Sequence, residues 1–219
     1  MSFTIDLQNT DIYLAYPNKD FIGNSPIPHS YIKTERYFKN ISAITFDSNH
    51  FVDGKENELY DKIEIGKLVL LVGIGWFQIS SVDETNNGIT ESKIIKVLSL
   101  ENELCTKIVY SFGDMGDEND KQGGLDRYAL YDSSDLEHSI LHIVVGECPS
   151  WRIGHVDKEL CNYRRTVKAD DVDVYSFLTD TVAETFECIF QFNTFEKTIN
   201  AYKLENIGKY TDIVLSYDN

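Results

Sequence analysis

The fold of the second half is decided by the run CIFQFNTFEKTINAY at residues 188–202. Two stretches rich in aromatic and β-branched residues flank its polar segment at residues 193–197, which predicts two paired strands around a turn. Residues 172–187 precede this run with apolar side chains at helical spacing, and Asp170 or Asp171 can cap the helix. A helix followed by a hairpin is therefore predicted. The apolar stripe of the helix is Val174, Phe177, Leu178, Val182 and Phe186.

A second helix and a strand are predicted upstream of this pair. Residues 133–145 begin with serine and aspartate capping residues and continue with apolar side chains at helical spacing. Gly146 suits the end of this helix, and Pro149 prevents its continuation. Residues 151–156 have the composition of a strand. The second half is thus predicted as helix, strand, helix and hairpin, an α+β module. The apolar helix positions are Leu136, Ile140, Ile143 and Val144.

The first half is predicted to be β-rich, because its clearest element is a long hairpin at residues 75–99. Asn87-Gly88 supplies the positive φ angles of its tight turn. One face of the first hairpin strand is expected to carry Phe77, Ile79 and Ser81. The apolar run at residues 68–72 suits a strand buried on both faces, and residues 11–16 form another strand. These elements indicate a mostly β fold with a barrel or a sandwich.

The composition divides the chain at residues 113–124, which read GDMGDENDKQGG. This acidic, glycine-rich stretch cannot order itself by burial, so it is predicted to be a loop and a domain junction. Residues 1–112 are then a β-rich domain and residues 125–219 an α+β domain. Pro26 and Pro28 mark a further loop within the first domain.

The chain is strongly acidic, with a formal net charge of −16 and a sequence pI near 4.6. This sign of charge disfavours nonspecific binding to nucleic acid and to anionic membranes. No apolar run reaches the roughly 20 residues of a spanning helix. The start MSFTID has neither the charged nor the apolar region of a signal peptide. We therefore expect a protein that folds in a cytoplasm.

Two histidines form the first candidate metal site. His138 and His142 lie four residues apart with Glu137 beside them. The zinc-peptidase motif needs the glutamate directly after the first histidine, so that it can act on the metal-bound water. One solvated and one partly buried histidine is the favoured interpretation.

An acidic cluster forms the second candidate metal site, with carboxylates that could bind calcium. Their spacing does not match the EF-hand loop, and a solvated acidic loop is the favoured interpretation. No metal and no cofactor is therefore expected. The cluster consists of Asp114, Asp117, Glu118 and Asp120.

The four cysteines, Cys105, Cys148, Cys161 and Cys188, are widely spaced, which favours reduced and mostly buried thiols. Cys148 or Cys161 with His155 could form a thiol nucleophile and its base. No orienting group or oxyanion loop is recognisable around them. No catalytic residue is therefore predicted.

Three further motifs have both a functional and a structural interpretation. Gly73-Ile-Gly75 is too short for a phosphate-binding fingerprint and leads into a strand. Arg164-Arg165 could bind an acidic partner, but a local ion pair is favoured. Trp76 and Trp151 could form a sugar-stacking platform, but packing in strands explains both.

Two groups of motifs, at residues 75–104 and at residues 151–200, resemble the minor structural proteins of the phage and prophage tail tip. The first is GWFQISSVDE at residues 75–84, with an Asn/Gly turn and the returning strand that contains SLENEL at residues 99–104. The second is WRIGHVD at residues 151–157, then the helix with YSFL and the FNTFEKTIN hairpin at residues 192–200. The turn of this family usually begins Phe-Asp, whereas Phe192-Asn193 stands here.

This family, described also as antireceptor or tail-endopeptidase N-terminal regions, is structural. The resemblance implies a homotrimeric baseplate hub, with a tail-tube-like β-barrel domain followed by an α+β accessory domain. It implies the distal tail protein and the tape measure as partners, indirect contact with the host surface, and a place at the virion tail tip. Family members continue with further hub domains, so truncation at Asn219 is expected.

Two other functions stay open at this point. Relatives carry cell-wall peptidase or hydrolase domains, so an enzyme-associated protein is one alternative. A carbohydrate-binding host-recognition module is the other, and it would use Trp76 and Trp151.

Overall fold

The computed structural model describes residues 12–24, 33–35, 41–88, 90–111 and 127–206. The chain divides into two compact units, Met1–Asn102 and Glu103–Asn219. This division falls before the boundary expected at residue 112, since residues 108 and 109 pair with a strand of the second unit. The predicted junction at residues 113–124, the Pro26 and Pro28 loop and the last residues of the chain lie outside the described residues.

The first unit is built on a seven-stranded antiparallel sheet. A separate two-stranded hairpin lies between the fourth and seventh strands in sequence. Its strands are β1 (Ile12–Ala15), β2 (Phe21–Asn24), β3 (Lys33–Glu35), β4 (Ala43–Asn49), β5 (Phe51–Val52), β6 (Lys55–Glu56), β7 (Leu68–Leu71), β8 (Gly75–Asn86) and β9 (Glu91–Ser99). The order in the large sheet is β2-β1-β7-β8-β9-β4-β3, and β5 pairs with β6.

The predicted hairpin is confirmed as β8 and β9, with Gly88 at a φ of +80° in the turn. The expected position of Ser81 beside Phe77 and Ile79 is wrong. A β-bulge between Ile79 and Ser81 shifts the register, so Ser81 lies opposite the exposed Lys96. The extra residue moves the next inward position to Val82, which packs against the core.

One face of the large sheet forms the core of the first unit. β1 and β4 lie four positions apart in the sheet, yet side chains of both line one small apolar cavity, which shows that the sheet is strongly curved. Leu59 and Ile63, from the segment around the 3₁₀ turn Tyr60–Lys62, cover the concave side. The core consists of Ile12, Leu14, Ile44, Phe46, Leu59, Ile63, Val69, Leu71, Phe77, Ile79, Ile95 and Val97.

The sheet is open in the part of the chain that the structure describes. There β2 and β3 are its two edges, and they are not hydrogen-bonded to each other. The mostly β, α+β class predicted from the sequence is confirmed. The closed tail-tube-like barrel is not, because closure requires the two edge strands to pair.

The second unit combines a small mixed sheet, two short ladders and helices. Its elements are β10 (Ile108–Val109), β11 (Tyr128–Ala129), α1 (Ile140–Glu147), β12 (Arg152–Val156), β13 (Arg164–Arg165), β14 (Val172–Asp173), α2 (Val174–Ser176), the π-helical stretch Phe177–Val182, α3 (Ala183–Phe186), β15 (Cys188–Asn193) and β16 (Thr198–Lys203). The sheet order is β12-β16-β15, with β15–β16 antiparallel and β12–β16 parallel.

The predicted hairpin of the second unit is confirmed, whereas the start of the upstream helix is wrong. α1 begins at Ile140 after the N-cap Ser139, not near residue 133. The side chain of Asp132 accepts hydrogen bonds from Ser134 and so forms a turn instead of a helix cap. Leu136 is consequently exposed, and Leu141 takes a core position.

The second predicted helix begins later than expected and is not regular. Its N-cap is Asp173, whose side chain accepts from the backbone N–H of Ser176, whereas Asp171 has a φ of +48° outside the helix. α2, the π-helical stretch and α3 follow one another without a break. Glu187 ends the run in the left-handed conformation. No helix in the described part is long and apolar enough to cross a membrane.

Candidate functional site

The histidine pair does not lie on one helix, because His138 precedes the start of α1. The Nδ1 of His138 lies 3.0 Å from Asp135 Oδ1, and the Nδ1 of His142 lies 2.8 Å from Ser139 Oγ. Their rings contact two different tyrosines, Tyr128 and Tyr131. Within the described ranges no group of three or more His, Cys, Asp or Glu residues could hold a metal ion. The acidic cluster at residues 114–120 lies outside those ranges.

The thiols lie in surroundings that oppose nucleophilic chemistry. Burial raises the pKa of Cys148 to about 11 and the pKa of Cys188 to about 12. Burial and then the charge of Asp132 raise the pKa of Cys161. All four cysteines are free thiols. Since the thiolate is the reactive form, these raised pKa values disfavour a nucleophilic role for Cys148 and Cys161.

The most organised polar site of the second unit surrounds Asp157, which the sequence analysis did not single out. Asp157 directly follows β12 and is only 3% exposed. Its Oδ2 accepts from the backbone N–H of Lys203 at 2.8 Å and from Asn206 Nδ2 at 3.0 Å. Its Oδ1 lies 2.9 Å from Nε2 of His155. One buried carboxylate thus joins the ends of β12 and β16 and the following 3₁₀ turn, Leu204–Asn206.

Hydrogen bonding determines the ionisation of this carboxylate. Burial alone would raise the pKa of Asp157, but hydrogen bonds from Asn206, His155 and the Lys203 backbone outweigh burial, and the pKa is lowered. A charged carboxylate that accepts three hydrogen bonds is a stable structural joint.

The surroundings of Asp157 also bear on the candidate catalytic pair, in which Cys161 would be the nucleophile and His155 the base. A carboxylate bonded to an imidazole is also the orienting pair of a catalytic triad. Here the thiol of Cys161 contacts the backbone oxygen of Asp157 at 3.8 Å. The ring of His155 stacks on Tyr202 with centroids 5.2 Å apart. These contacts give Asp157 and His155 a structural role in joining strands.

The basic pair is explained by local interactions. Arg164 donates to Asp132 Oδ2 at 2.9 Å and to Asp135 Oδ2 at 3.0 Å, which confirms the favoured ion-pair interpretation. The guanidinium of Arg165 lies 4.8 Å from the ring centroid of Tyr163, a cation–π geometry.

Both tryptophans are buried side chains. Trp76 is 6% exposed and packs with Leu68 and Leu100 on the convex side of the first sheet. Trp151 is 2% exposed, contacts Phe192 edge-to-face, and donates to Glu103 at 3.4 Å. Neither ring offers a free face of the size that sugar stacking requires, so the packing interpretation is supported.

Comparison of the whole chain with known proteins gives a likeness in structure alone. No protein-family model and no curated protein sequence matches this chain. The prophage tail protein gp18 from Listeria monocytogenes EGD-e matches with a TM-score of 0.61 at 11% identity, over 94% of this chain and 55% of that chain. The 43 kDa tail protein of prophage MuSo2 from Shewanella oneidensis matches with a TM-score of 0.56 at 11% identity, over 89% and 56%.

The chain has a fold similar to that of prophage tail proteins. It spans about half the length of these two solved structures. The matched share of this chain is large enough to include most of both compact units. The likeness therefore extends over both units and is not confined to one local hairpin.

Proposed function

We propose that this chain is a structural component of a phage or prophage tail, placed at the tail tip as part of the baseplate hub. The fold likeness to gp18 over 94% of the chain carries this proposal. The motifs at residues 75–104 and 151–200 add independent support, because they resemble the tail-tip family in the same order.

The proposed role is not enzymatic. The raised pKa values of the buried thiols and the structural partners of His138, His142 and His155 support this part of the proposal. The buried tryptophans argue against the carbohydrate-binding alternative.

The proposed assembly is a homotrimer, which joins the tail tube to the host-recognition or wall-penetration apparatus. In the described part, the curved sheet has two edges that neighbouring strands could extend, as sheets do in ring assemblies. The distal tail protein and the tape measure are the proposed partners, and the virion is the proposed location. A net charge of −16 would repel DNA from a tube lumen and let it slide.

Labelling of particles tests this role. Antibodies against residues 1–219 should decorate the tail tip of phage particles induced from a bacterial strain that carries this sequence, as seen by immunogold electron microscopy. Label along the tail shaft would retain a tail role but exclude the tip. Purified particles without label, and without this chain by mass spectrometry, would overturn the structural role.

Light scattering tests the assembly separately. This chain spans about half the length of the two solved tail proteins described above, so we expect residues 1–219 by themselves to supply too few contacts for a stable ring and to be monomeric. A stable trimer would contradict this expectation and show that these residues contain a sufficient interface.

A further inference from the structure

One histidine of the first unit contacts three separate pieces of chain. His50 lies between β4 and β5, and its ring stacks on Tyr60 with centroids 4.7 Å apart and planes at 14°. The ring of His50 also contacts the ring of Phe51, with centroids 4.8 Å apart. The side chain is 22% exposed, so the ring is largely packed yet reachable by protons from solvent.

Both nitrogens of this ring face carboxylates. Nδ1 lies 2.8 Å from Glu91 Oε2 at the start of β9, and Nε2 lies 3.4 Å from Glu56 Oε1 at the end of β6. An ionised carboxylate only accepts hydrogen bonds, and a neutral imidazole has a single N–H. Only the imidazolium can therefore donate to Glu91 and Glu56 together.

The surrounding charges favour the imidazolium. The hydrogen bond to Glu91 raises the pKa of His50 above its ordinary value, burial opposes this rise, and Glu56 adds to it. Lys93, also on β9, lies with Nζ 4.5 Å from the ring centroid of Tyr60. Its charge is offset by Glu84 of β8 at 3.2 Å. The carboxylates of Glu91 and Glu56 thus remain available to His50.

We propose that His50 is a pH-sensitive clasp, which holds the β5–β6 hairpin against the start of β9 when protonated and loosens it when neutral. Two backbone bonds, His50 N–H to Glu91 O at 2.9 Å and Asn57 N–H to His50 O at 2.7 Å, do not involve the imidazole, so deprotonation of the ring does not itself break them. These bonds lie at the base of the hairpin, so the neutral ring loosens the hairpin without detaching it from the start of β9. This inference does not depend on the proposed tail function.

The sign of the effect follows from the raised pKa. Protonation stabilises the clasped form fully below the ordinary histidine pKa of about 6.5, and this contribution is lost as pH rises through the folded value. The clasp is thus closed in mildly acidic solution and open in alkaline solution.

Hydrogen exchange of the full chain at pH 6 and pH 8.5 tests the clasp. After correction for intrinsic exchange rates, amides of residues 51–56 should lose protection on the order of two- to fivefold at the higher pH. Amides in the middle of β8 and β9 serve as the internal reference and should not change. The substitution Glu56→Gln should abolish the difference, because the Gln amide can accept a hydrogen bond from a protonated Nε2 and donate one to a neutral Nε2.

The control is His142→Gln, which removes a histidine of the other unit and should leave the response of residues 51–56 unchanged. Equal protection at both pH values in the wild type would overturn the clasp. So would a Glu56→Gln variant that responds like the wild type, or an NMR titration that places the pKa of His50 below its ordinary value. Glu56 is 68% exposed, so this variant is expected to fold.

Discussion

At the residue scale, the ionised Asp157 makes a testable contribution to stability. Its lowered pKa means that the contribution is present above the ordinary aspartate pKa of about 3.9 and is lost as pH falls through the folded value. Asp157→Asn would place an amide donor among groups that donate to the carboxylate. We expect a loss of about 1–3 kcal/mol in the free energy of unfolding near neutral pH, measured by urea denaturation.

The matched control for this prediction is Glu159→Gln, two residues further along. Glu159 is exposed, so its substitution should leave stability nearly unchanged. If Asp157→Asn and Glu159→Gln gave the same unfolding curves and the same acid sensitivity, Asp157 would not be the joint described above.

Two glycines of the second unit should respond to alanine in opposite directions. At Gly154 an added Cβ would collide with Asn200 Oδ1 and lie 3.0 Å from Thr198 Cβ. Asn200 Oδ1 accepts from the backbone N–H of His155 at 2.7 Å, so moving it breaks a bond. Gly154→Ala should cost about 1–3 kcal/mol in thermal or urea unfolding.

Gly146 provides the comparison, because an added Cβ there meets nothing within 4 Å and the residue lies inside α1. Gly146→Ala should raise stability by about 0.5–1 kcal/mol, since alanine restricts the unfolded chain and favours helix. Equal effects of the two substitutions would show that β12 and β16 have room for a Cβ at position 154.

At the scale of elements, the N-cap of the helix at residues 174–186 separates two assignments. The structure gives this role to Asp173, whereas the sequence pattern favoured Asp170 or Asp171. Asp173→Ala should cost about 0.5–2 kcal/mol in the free energy of unfolding. Asp170→Ala should cost much less, because Asp170 is exposed, does not cap the helix, and accepts from Ser111 Oγ at a long 3.5 Å. The reverse order of effects would restore the sequence-based assignment.

Hairpins were predictable from this sequence, whereas helix starts were not. The hairpins at residues 75–99 and 188–202 combine strand composition with a local turn, and local patterns determine both. Ser133, Ser134 and Asp135 have the composition of helix caps. The side chain of Asp132 instead accepts from the backbone N–H of Ser134, which forms a turn before the helix. The bulge near Ser80 also escaped prediction, because an extra residue leaves the apolar pattern of the strand almost unchanged.

The polar site around Asp157 could not be predicted from the sequence, for a different reason. Its partners Lys203 and Asn206 lie more than forty positions away, as the separations of 46 and 49 show. The parallel pairing of β12 with β16 brings these residues next to Asp157. A local sequence pattern does not predict which distant strand will pair in parallel. The sequence suggests His155 as a base, but it carries no sign of the carboxylate that fixes the His155 ring.

At the scale of the whole molecule, the two compact units have separate sets of fully buried aromatic residues. Phe77 belongs to the core of the first unit, and Phe177 is fully buried in the second. Phe77→Ala and Phe177→Ala should each cost about 3–5 kcal/mol. Hydrogen exchange should show the loss of protection mainly in the unit that carries the substitution. Equal loss in both units would indicate that the chain unfolds as a single cooperative body.

The strand order β12-β16-β15 has a consequence for biosynthesis. The central strand of this sheet is the last of the three to leave the ribosome, so β12 must wait for its partner while about forty further residues are made. During that interval the backbone N–H and C=O groups of β12 have no partner strand in this sheet, and unpaired strand edges of this kind promote aggregation. Pauses in translation between residues 157 and 203 should therefore prolong exposure of an aggregation-prone nascent chain, and a chaperone would bind most usefully in that window.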